Sequence, residues 1–289
     1  LVRRDQFVEA NSLLSGTRSA SFVAGPAVAG GLIQAVTAPV AMLVDAVTFA
    51  VSAVLIGRVR VRDLPVDTTN EDGLLRRSRD GMALVLRDPY LRASLACATT
   101  INLFNLMAGA LVILYASREL DLSAGVIGLA LGIGATGGLL GTVVAGPLSR
   151  RIGVGRTIAM GAVVFSAPFA LMPLAAGPTW SRAGVLALVE FISALGVMCL
   201  DIPLNALMTA VTPDGVRSRV AGAFSTVNYG IRPLGAIAGG LVGEWIGIAP
   251  TMVVAAVGGS LSFLFLLRSP VFSTRTIEEL DAIHERGRT

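Results

Sequence analysis

The sequence is short of the residues on which most catalytic and metal sites depend. Its 289 residues include no lysine, one histidine and two cysteines. Without lysine there can be no Gly-Lys-Ser/Thr phosphate loop, which argues against a pump that carries its own ATPase domain. The single His284 lies in the polar tail and has no second histidine with which to bind a metal. We therefore expect no metal, no cofactor and no enzyme, and an intramembrane enzyme is the least favoured alternative because no nucleophile and base are paired.

Charge is scarce as well. Only 15% of the residues are charged, whereas 54% are hydrophobic and the mean hydropathy is +0.74. A soluble domain would carry about 25% charged residues. Several uncharged runs reach about 20 residues, long enough to cross a hydrocarbon core of ~30 Å as helices. The sequence predicts an all-α, polytopic helical membrane protein whose first partner is the lipid bilayer.

Apolar segments of this length occur about eight times. They cover residues 13–35, 39–57, 93–116, 124–148, 157–176, 184–210, 220–243 and 246–267. Between the second and third, residues 72–88 place Leu74, Leu75, Met82, Val85 and Leu86 on one helical face, which predicts an amphipathic helix along the membrane surface, stopped by Pro89. In the tail, the capping box Thr276-x-x-Glu279 predicts a further short helix.

The arginines predict the orientation of these segments. The net charge of +4 could suggest a nucleic-acid partner, but the arginines flank apolar runs, as membrane orientation requires, so we expect no nucleic acid. The N-terminus, the loops at 58–92, 150–156 and 214–219, and the tail hold nearly all of them. The alternate loops hold only Arg118 and Arg182. We expect a multi-pass protein of the cell membrane with both termini in the cytoplasm.

Two similar segments indicate an internal duplication. Residues 25–31 read Gly-Pro-Ala-Val-Ala-Gly-Gly, and residues 234–240 read Leu-Gly-Ala-Ile-Ala-Gly-Gly. Gly239 minus Gly30 gives an offset of 209 residues, too long for a solenoid unit and suited to two halves of one fold. The chain contains one full period and the tail of another, so we expect the front of the first copy to lie outside this sequence.

One glycine motif has a misleading form. Gly132-x-Gly134-x-x-Gly137 matches the dinucleotide fingerprint, but that fingerprint requires a strand before it and a helix after it. Here the motif lies in the middle of an apolar segment, where glycines allow close packing of helices. We therefore predict helix packing and no nucleotide.

The stretch from Gly146 to Arg156 is a glycine-rich turn that contains Arg150, Arg151 and Gly153. Its arginines fit either simple anchoring on the cytoplasmic side or a latch that pairs in only one conformation. The stretch resembles the second-half signature loop of the major facilitator superfamily (Gly-x-Leu-Ala-Asp-Arg-x-Gly-Arg-Arg). Arg150 occupies the position of the family's Asp, so an Asp-dependent latch is not expected in this loop.

A second resemblance concerns export. Gly25-Pro26-x-x-Ala29-Gly30 resembles the superfamily's antiporter motif, with Ala29 in place of a glycine. Residues 7–13 and 213–219 resemble the subgroup of enterobactin-exporter and macrolide-efflux-like proteins. The resemblance implies two six-helix bundles of which this chain supplies helices five to twelve, without helices one to four. Its parts would be the last two helices of the N-terminal bundle, a linker with the amphipathic helix, the six-helix C-terminal bundle and a cytoplasmic tail (1–57, 58–92, 93–268 and 269–289).

Ionisable residues inside apolar segments are costly and by default mark function. Asp45, Glu190, Asp201 and Arg232 are of this kind. We predict that Asp201 pairs with Arg232, as part of the path or as a structural ion pair, and that Glu190 carries the proton. For Asp45 a structural role is favoured.

Asparagines in the third segment complete the candidate path. Asn102 and Asn105 share a helix face, and the resemblance implies that this segment and the sixth line a central cavity. The predicted substrate and proton path is therefore Asn102, Asn105, Glu190, Asp201, Asn205 and Arg232. Polar contacts between helices are the rival interpretation.

The resulting hypothesis is a secondary transporter that exports small, amphipathic molecules in exchange for protons by rocking two bundles around a midplane site. The alternative is a truncated, non-transporting membrane protein or a scaffold that needs a partner to supply further helices.

Overall fold

The computed structural model describes residues 7–58 and 74–277. Within these residues the chain is helical and contains no strand, which confirms the all-α fold class. A 3₁₀ segment, Ala167–Leu174, prolongs the sixth helix. The helices are α1 Phe7–Val36, α2 Ala38–Gly57, α3 Leu74–Arg87, α4 Pro89–Arg118, α5 Ala124–Ile152, α6 Val154–Ser166, α7 Thr179–Val211, α8 Arg217–Ile246, α9 Ile248–Leu261, α10 Leu264–Leu267 and α11 Pro270–Ser273.

Six stretches in the described part of the chain are long and apolar enough to cross a membrane. They are Ala38–Gly57, Pro89–Arg118, Ala124–Ile152, Val154–Leu174, Thr179–Val211 and Ile248–Leu267. The other two predicted spans correspond to α1 and α8, each of which has 30 residues and so measures ~45 Å at 1.5 Å per residue. Length therefore allows both to span, but polar residues such as Asn228 and Arg232 lower the hydropathy of α8. The count by composition is therefore six and not the predicted eight, and only the stretch Val23–Val36 of α1 is counted, as a shorter apolar helix.

The predicted amphipathic helix is α3, and proline separates it from α4. Asp88 caps α4, because its Oδ1 accepts hydrogen bonds from the backbone N–H groups of Tyr90 (2.8 Å) and Leu91 (2.9 Å). Pro89 occupies the first position of α4, where its missing N–H costs nothing. The predicted stop of the amphipathic helix before Pro89 is confirmed, whereas α4 begins at Pro89 and not at the predicted residue 93.

Part of α3 packs on protein. Val85 is fully buried, and a Cβ on Gly81 would meet the backbone carbonyl carbon of Arg219, on α8, at 3.0 Å. Leu86, by contrast, is 51% exposed. The apolar residues predicted to share one face of α3 therefore differ in their surroundings, because Val85 is buried in the core and Leu86 is exposed. The helix predicted at Thr276–Glu279 lies largely outside the described residues.

The buried side chains form two clusters along the bundle. One lies towards the arginine-rich ends of the helices and includes Ile101, Ile158 and Leu207. The other lies towards the opposite ends and includes Phe169 and Met252. The polar residues considered below lie on α4, α7 and α8, which contribute to the first cluster.

Candidate functional site

Glycines on α5 allow two neighbouring helices to approach its backbone closely. A Cβ on Gly128 would lie 2.7 Å from the Cα of Gly30 on α1. On another face of α5, a Cβ on Gly141 would lie 2.8 Å from the backbone oxygen of Leu195 on α7. Gly132 also faces α1, and Gly137 also faces α7. The fingerprint-like glycines are therefore packing residues inside one continuous helix, as predicted.

The antiporter-like motif lies at the contact between α1 and α5. Gly30 is buried there, and a Cβ on it would come within 2.6 Å of the carbonyl oxygen of Ala124. Pro26 faces Gly128 through its carbonyl oxygen, whereas no atom lies within 4 Å of a Cβ built on Gly25. One turn further, the Oε1 of Gln34 accepts a hydrogen bond from the backbone N–H of Gly125 (3.1 Å). Two of the three motif residues thus face the tight interface.

The signature-like loop joins α5 to α6 and holds the segment after α11. Gly153 has a φ of 97°, which favours glycine. The N–H groups of Val154 and Gly155 donate to the carbonyl oxygens of Arg275 (3.2 Å) and Thr274 (3.1 Å). Arg150, Arg151 and Arg156 are all exposed. No salt bridge joins these arginines to the described residues, so this conformation shows an anchored turn and leaves the latch as a hypothesis.

A central cavity of about 390 Å³ brings together most of the predicted path. We use this name for the space between α4, α7 and α8. Its lining includes five of the six predicted residues, namely Asn102, Asn105, Asp201, Asn205 and Arg232. Residues separated by as many as 130 positions therefore meet at one place in the bundle.

Hydrogen bonds fix the arginine in this cavity. The Nε of Arg232 donates to the Oδ1 of Asn102 (2.9 Å), and the Nδ2 of Asn102 donates to the Oδ1 of Asn228 (2.8 Å). The guanidinium carbon of Arg232 also lies 4.3 Å from the centroid of the Tyr229 ring, within the range of a cation–π contact. Asn102 thus connects α4 to α8 while Arg232 keeps further donors for a ligand.

The predicted direct pair between Asp201 and Arg232 is not formed. Arg232 bonds Asn102 instead, and no salt bridge connects the two charged residues in the part of the chain that the structure describes. They nevertheless line one cavity, close enough for the guanidinium to attract the carboxylate electrostatically. Asn102, on the neighbouring helix α4, accepts from the Nε of Arg232, so this donor is not available to Asp201.

Glu190 lies in a neighbouring cavity, also of about 390 Å³. The two cavities share Asn105, Phe165 and Val197 in their linings. The Nδ2 of Asn105 is buried and has no hydrogen-bond partner. A buried amide donor without a partner is costly, so Asn105 is available to a molecule or water that occupies either cavity.

Prolines accompany both charged residues of the central cavity. Pro203 follows Asp201 by two positions in α7, and Pro233 follows Arg232 directly in α8. A proline removes one N–H from the helical ladder and leaves a carbonyl oxygen four residues earlier without its partner. Both helices continue through their prolines, but each lacks one backbone hydrogen bond near its charged residue, which leaves a carbonyl acceptor there.

The sequence reasoning missed Asn228 and Tyr229. Both line the central cavity and contact Asn102 or Arg232. Asn228 lies four residues before Arg232, so a search for polar pairs at helical spacing would have found it. Asp45 is exposed on α2, away from this cavity. Among the described residues no group of three acidic, histidine or cysteine side chains could hold a metal ion.

These features define a multi-pass helical membrane protein in which apolar spans enclose a polar, partly charged cavity. A sequence model described as the Major Facilitator Superfamily matches residues 1–232 and again residues 95–285. The chain therefore belongs to the major facilitator superfamily. The two matches overlap, as expected for a family whose halves resemble each other.

Individual relatives agree with this assignment. The chain is 29% identical over 274 residues to an uncharacterized MFS-type transporter, y4rN, of Sinorhizobium fredii, a match that covers 92% of the chain and 64% of the relative. It is 27% identical over 262 residues to an uncharacterized MFS-type transporter, YfiS, of Bacillus subtilis, covering 85% of the chain and 60% of the relative. The chain thus spans less than two thirds of the length of these relatives.

Proposed function

We propose that the whole protein is a secondary transporter that exports small, amphipathic molecules across the cell membrane in exchange for protons. The observation that carries the proposal is the central cavity, in which Asp201, Arg232 and four asparagines meet among apolar helices. Charged and amide groups inside membrane spans cost free energy unless they have polar partners. Their presence there by default indicates a functional pathway. Two relatives bear the name transporter, which supports the same class.

We propose roles within the site that the contacts support. Arg232, Asn102 and Asn205 bind the polar part of a substrate, and apolar residues such as Phe165 and Leu204 contact the rest. Glu190 exchanges the proton, and Asn105 lies between its cavity and the substrate's cavity. We assign α1 and α2 to the first bundle and α4 to α10 to the second, with the arginine-rich ends in the cytoplasm.

The tight contact between α1 and α5 supports export. Gly30 and Gly128 bring two backbones together where α1 meets the second bundle. Close packing at this contact limits leakage through the interface between bundles. The antiporter-like motif thereby acts as a seal in our proposal.

A second candidate is a membrane scaffold that depends on a partner. None of the α2 residues is buried, and Met42, Phe49 and Ile56 are each at least 70% exposed. An exposed apolar helix fits lipid contact, and it equally fits packing against further helices. On this alternative the chain would not move a solute.

Transport assays in proteoliposomes distinguish the two candidates. A trapped pH-sensitive dye reports proton movement when amphipathic test compounds are added to the native-length protein. We expect flux with at least one compound and a loss of about ten-fold or more in the Asn102→Leu variant, because Arg232 loses a buried partner. Arg118→Gln, at the exposed end of α4, is the control and should retain the flux. Absence of flux in the wild type across the panel would favour the scaffold.

A further inference from the structure

A groove on the outside of the bundle has no role in the proposed transport. It runs between α4 and the consecutive helices α9 and α10, and its volume is about 980 Å³. We name it the basic groove, with Arg92, Arg268, Ala96, Thr100, Phe104 and Phe265 in its lining. None of these residues lines the central cavity. A ligand in the basic groove would therefore be separate from the transported molecule.

The charge of the basic groove is of one sign. Arg92 lies in the first turn of α4, and Arg268 follows the last residue of α10. Both are exposed, and the lining contains no acidic residue. Asp88, whose carboxylate caps α4, is not part of the lining. Two guanidinium groups at one end of a groove favour an anion with several acceptor oxygens, such as a phosphate.

The rest of the lining is apolar and extends along the helices. Ala96, Thr100 and Phe104 follow Arg92 along one face of α4 at intervals of four residues. Arg92 and Phe104 are twelve residues apart, which corresponds to ~18 Å along a helix. One leaflet of a ~30 Å hydrocarbon core measures about 15 Å. The groove thus matches one acyl chain in length, with the arginines at the level of the headgroups.

The end of the groove is closed by a specific contact. A Cβ on Gly258 would lie 2.7 Å from the Cδ1 of Phe104, so the ring lies directly on the backbone of α9. The ring fills the space between the two helices at this depth. The groove therefore has a basic end, an apolar wall and a closed end.

We propose that the basic groove binds one anionic phospholipid of the leaflet that faces the arginine-rich side. Its phosphate contacts Arg92 and Arg268, and one acyl chain lies along Ala96 and Thr100 towards Phe104. A zwitterionic lipid has the same acyl chain, but because its headgroup has no net charge it lacks the net electrostatic attraction to the two arginines. Two basic residues near a membrane surface favour an anionic lipid by about thirty-fold over a neutral one.

The test is lipid binding to the purified, detergent-solubilised chain by native mass spectrometry. Phosphatidylglycerol and phosphatidylcholine with identical acyl chains are titrated in parallel. We expect phosphatidylglycerol to bind at least about ten-fold more tightly, given two arginine contacts. The Arg92→Gln/Arg268→Gln double variant should lose this preference. The matched control is Arg79→Gln/Arg87→Gln, which removes two exposed arginines of α3 on the same side of the bundle and should retain it.

Two further variants test the acyl chain and the source of the phosphate. Ala96→Leu narrows the groove without changing charge and should weaken both lipids. Glycerol phosphate, which has the headgroup but no chain, should bind at least about ten-fold more weakly than phosphatidylglycerol because it buries no apolar surface. Equal binding of the two lipids, retention of the preference in the double variant, or equal binding of glycerol phosphate would each overturn the proposal.

Discussion

At the scale of single residues, the uncharged side chain of Asn102 links two helices and positions a charged one. It accepts from Arg232 and donates to Asn228, so one amide joins two helices and orients the guanidinium. A charged group inside a span is stable when its donors have partners. Under our proposal, the further donors of Arg232 and the unpartnered amide of Asn105 bind the ligand.

The role of Glu190 is tested by the Glu190→Gln substitution, which keeps the shape of the side chain and removes its ability to exchange a proton. We expect transport driven by a pH gradient to fall by about ten-fold or more, since proton exchange by a positioned group has effects of this size or larger. Substrate counterflow, which needs binding but no net proton movement, should persist. Both rates are measured in proteoliposomes.

The control for that experiment is Glu244→Gln, at the exposed end of α8. It removes a carboxylate from the same protein without touching either cavity. If transport driven by a pH gradient persists in the Glu190→Gln variant, another group must exchange the proton. Loss of both driven transport and counterflow would mean that Glu190 binds substrate or supports the fold.

At the scale of elements, glycine faces decide which helices touch. On α8, a Cβ on Gly239 would lie 3.1 Å from the Cα of Met107, and Gly235 faces Leu103 in the same way. α8 is thus held against α4 by a backbone contact that begins one turn beyond Arg232. Packing of this kind is a main source of helix association in a membrane, where the hydrophobic effect between helices is weak.

Adjacent glycines on α8 provide a matched pair of variants. Gly239→Leu forces a side chain into the α4 contact, and overpacking of this kind costs about 1–3 kcal/mol. No atom lies within 4 Å of a Cβ on Gly240, so Gly240→Leu should change stability by less than about 0.5 kcal/mol. The apparent Tm in detergent, from fluorescence-detected gel filtration after heating, compares the two. Equal Tm values would show that the α4–α8 contact is not tight in the membrane protein.

At the scale of the whole molecule, the arginines divide the bundle into two ends. Described arginines such as Arg92, Arg150 and Arg268 lie at one end of the helices, whereas Arg118 ends α4 and Arg182 lies in the first turn of α7 at the other end. Arg182 donates to the carbonyl oxygen of Leu120, so it ties the start of α7 to the loop after α4. On the basis of the positive-inside rule, we propose that the richer end faces the cytoplasm.

The orientation is tested by cysteine labelling in intact cells with a membrane-impermeant maleimide. Ser117→Cys, at the arginine-poor end, should react from outside, and Ser273→Cys should react only after the cells are opened. Both serines are exposed, whereas the native Cys97 and Cys199 are buried and supply a low background. Reaction of Ser273→Cys in sealed cells would reverse the proposed topology.

The sequence by itself determined the helical class and the approximate bounds of the spans. The predicted segment 124–148 lies within α5, and the segment 39–57 almost coincides with α2. The length and apolarity of a segment are local properties, so they can be read from the sequence without knowledge of how the helices pack. The family, too, was evident from the residues around Gly146 and Pro26, and the family match confirms it.

Only the tertiary structure decided which polar residues meet. It replaced the predicted ion pair of Asp201 and Arg232 with the contact between Arg232 and Asn102, and it added Asn228 and Tyr229. It also showed that the glycines of α5 serve two partners, α1 at Gly128 and α7 at Gly141. The physical reason is that a helix fixes the spacing of its own side chains, whereas the partner of each side chain depends on how distant helices pack.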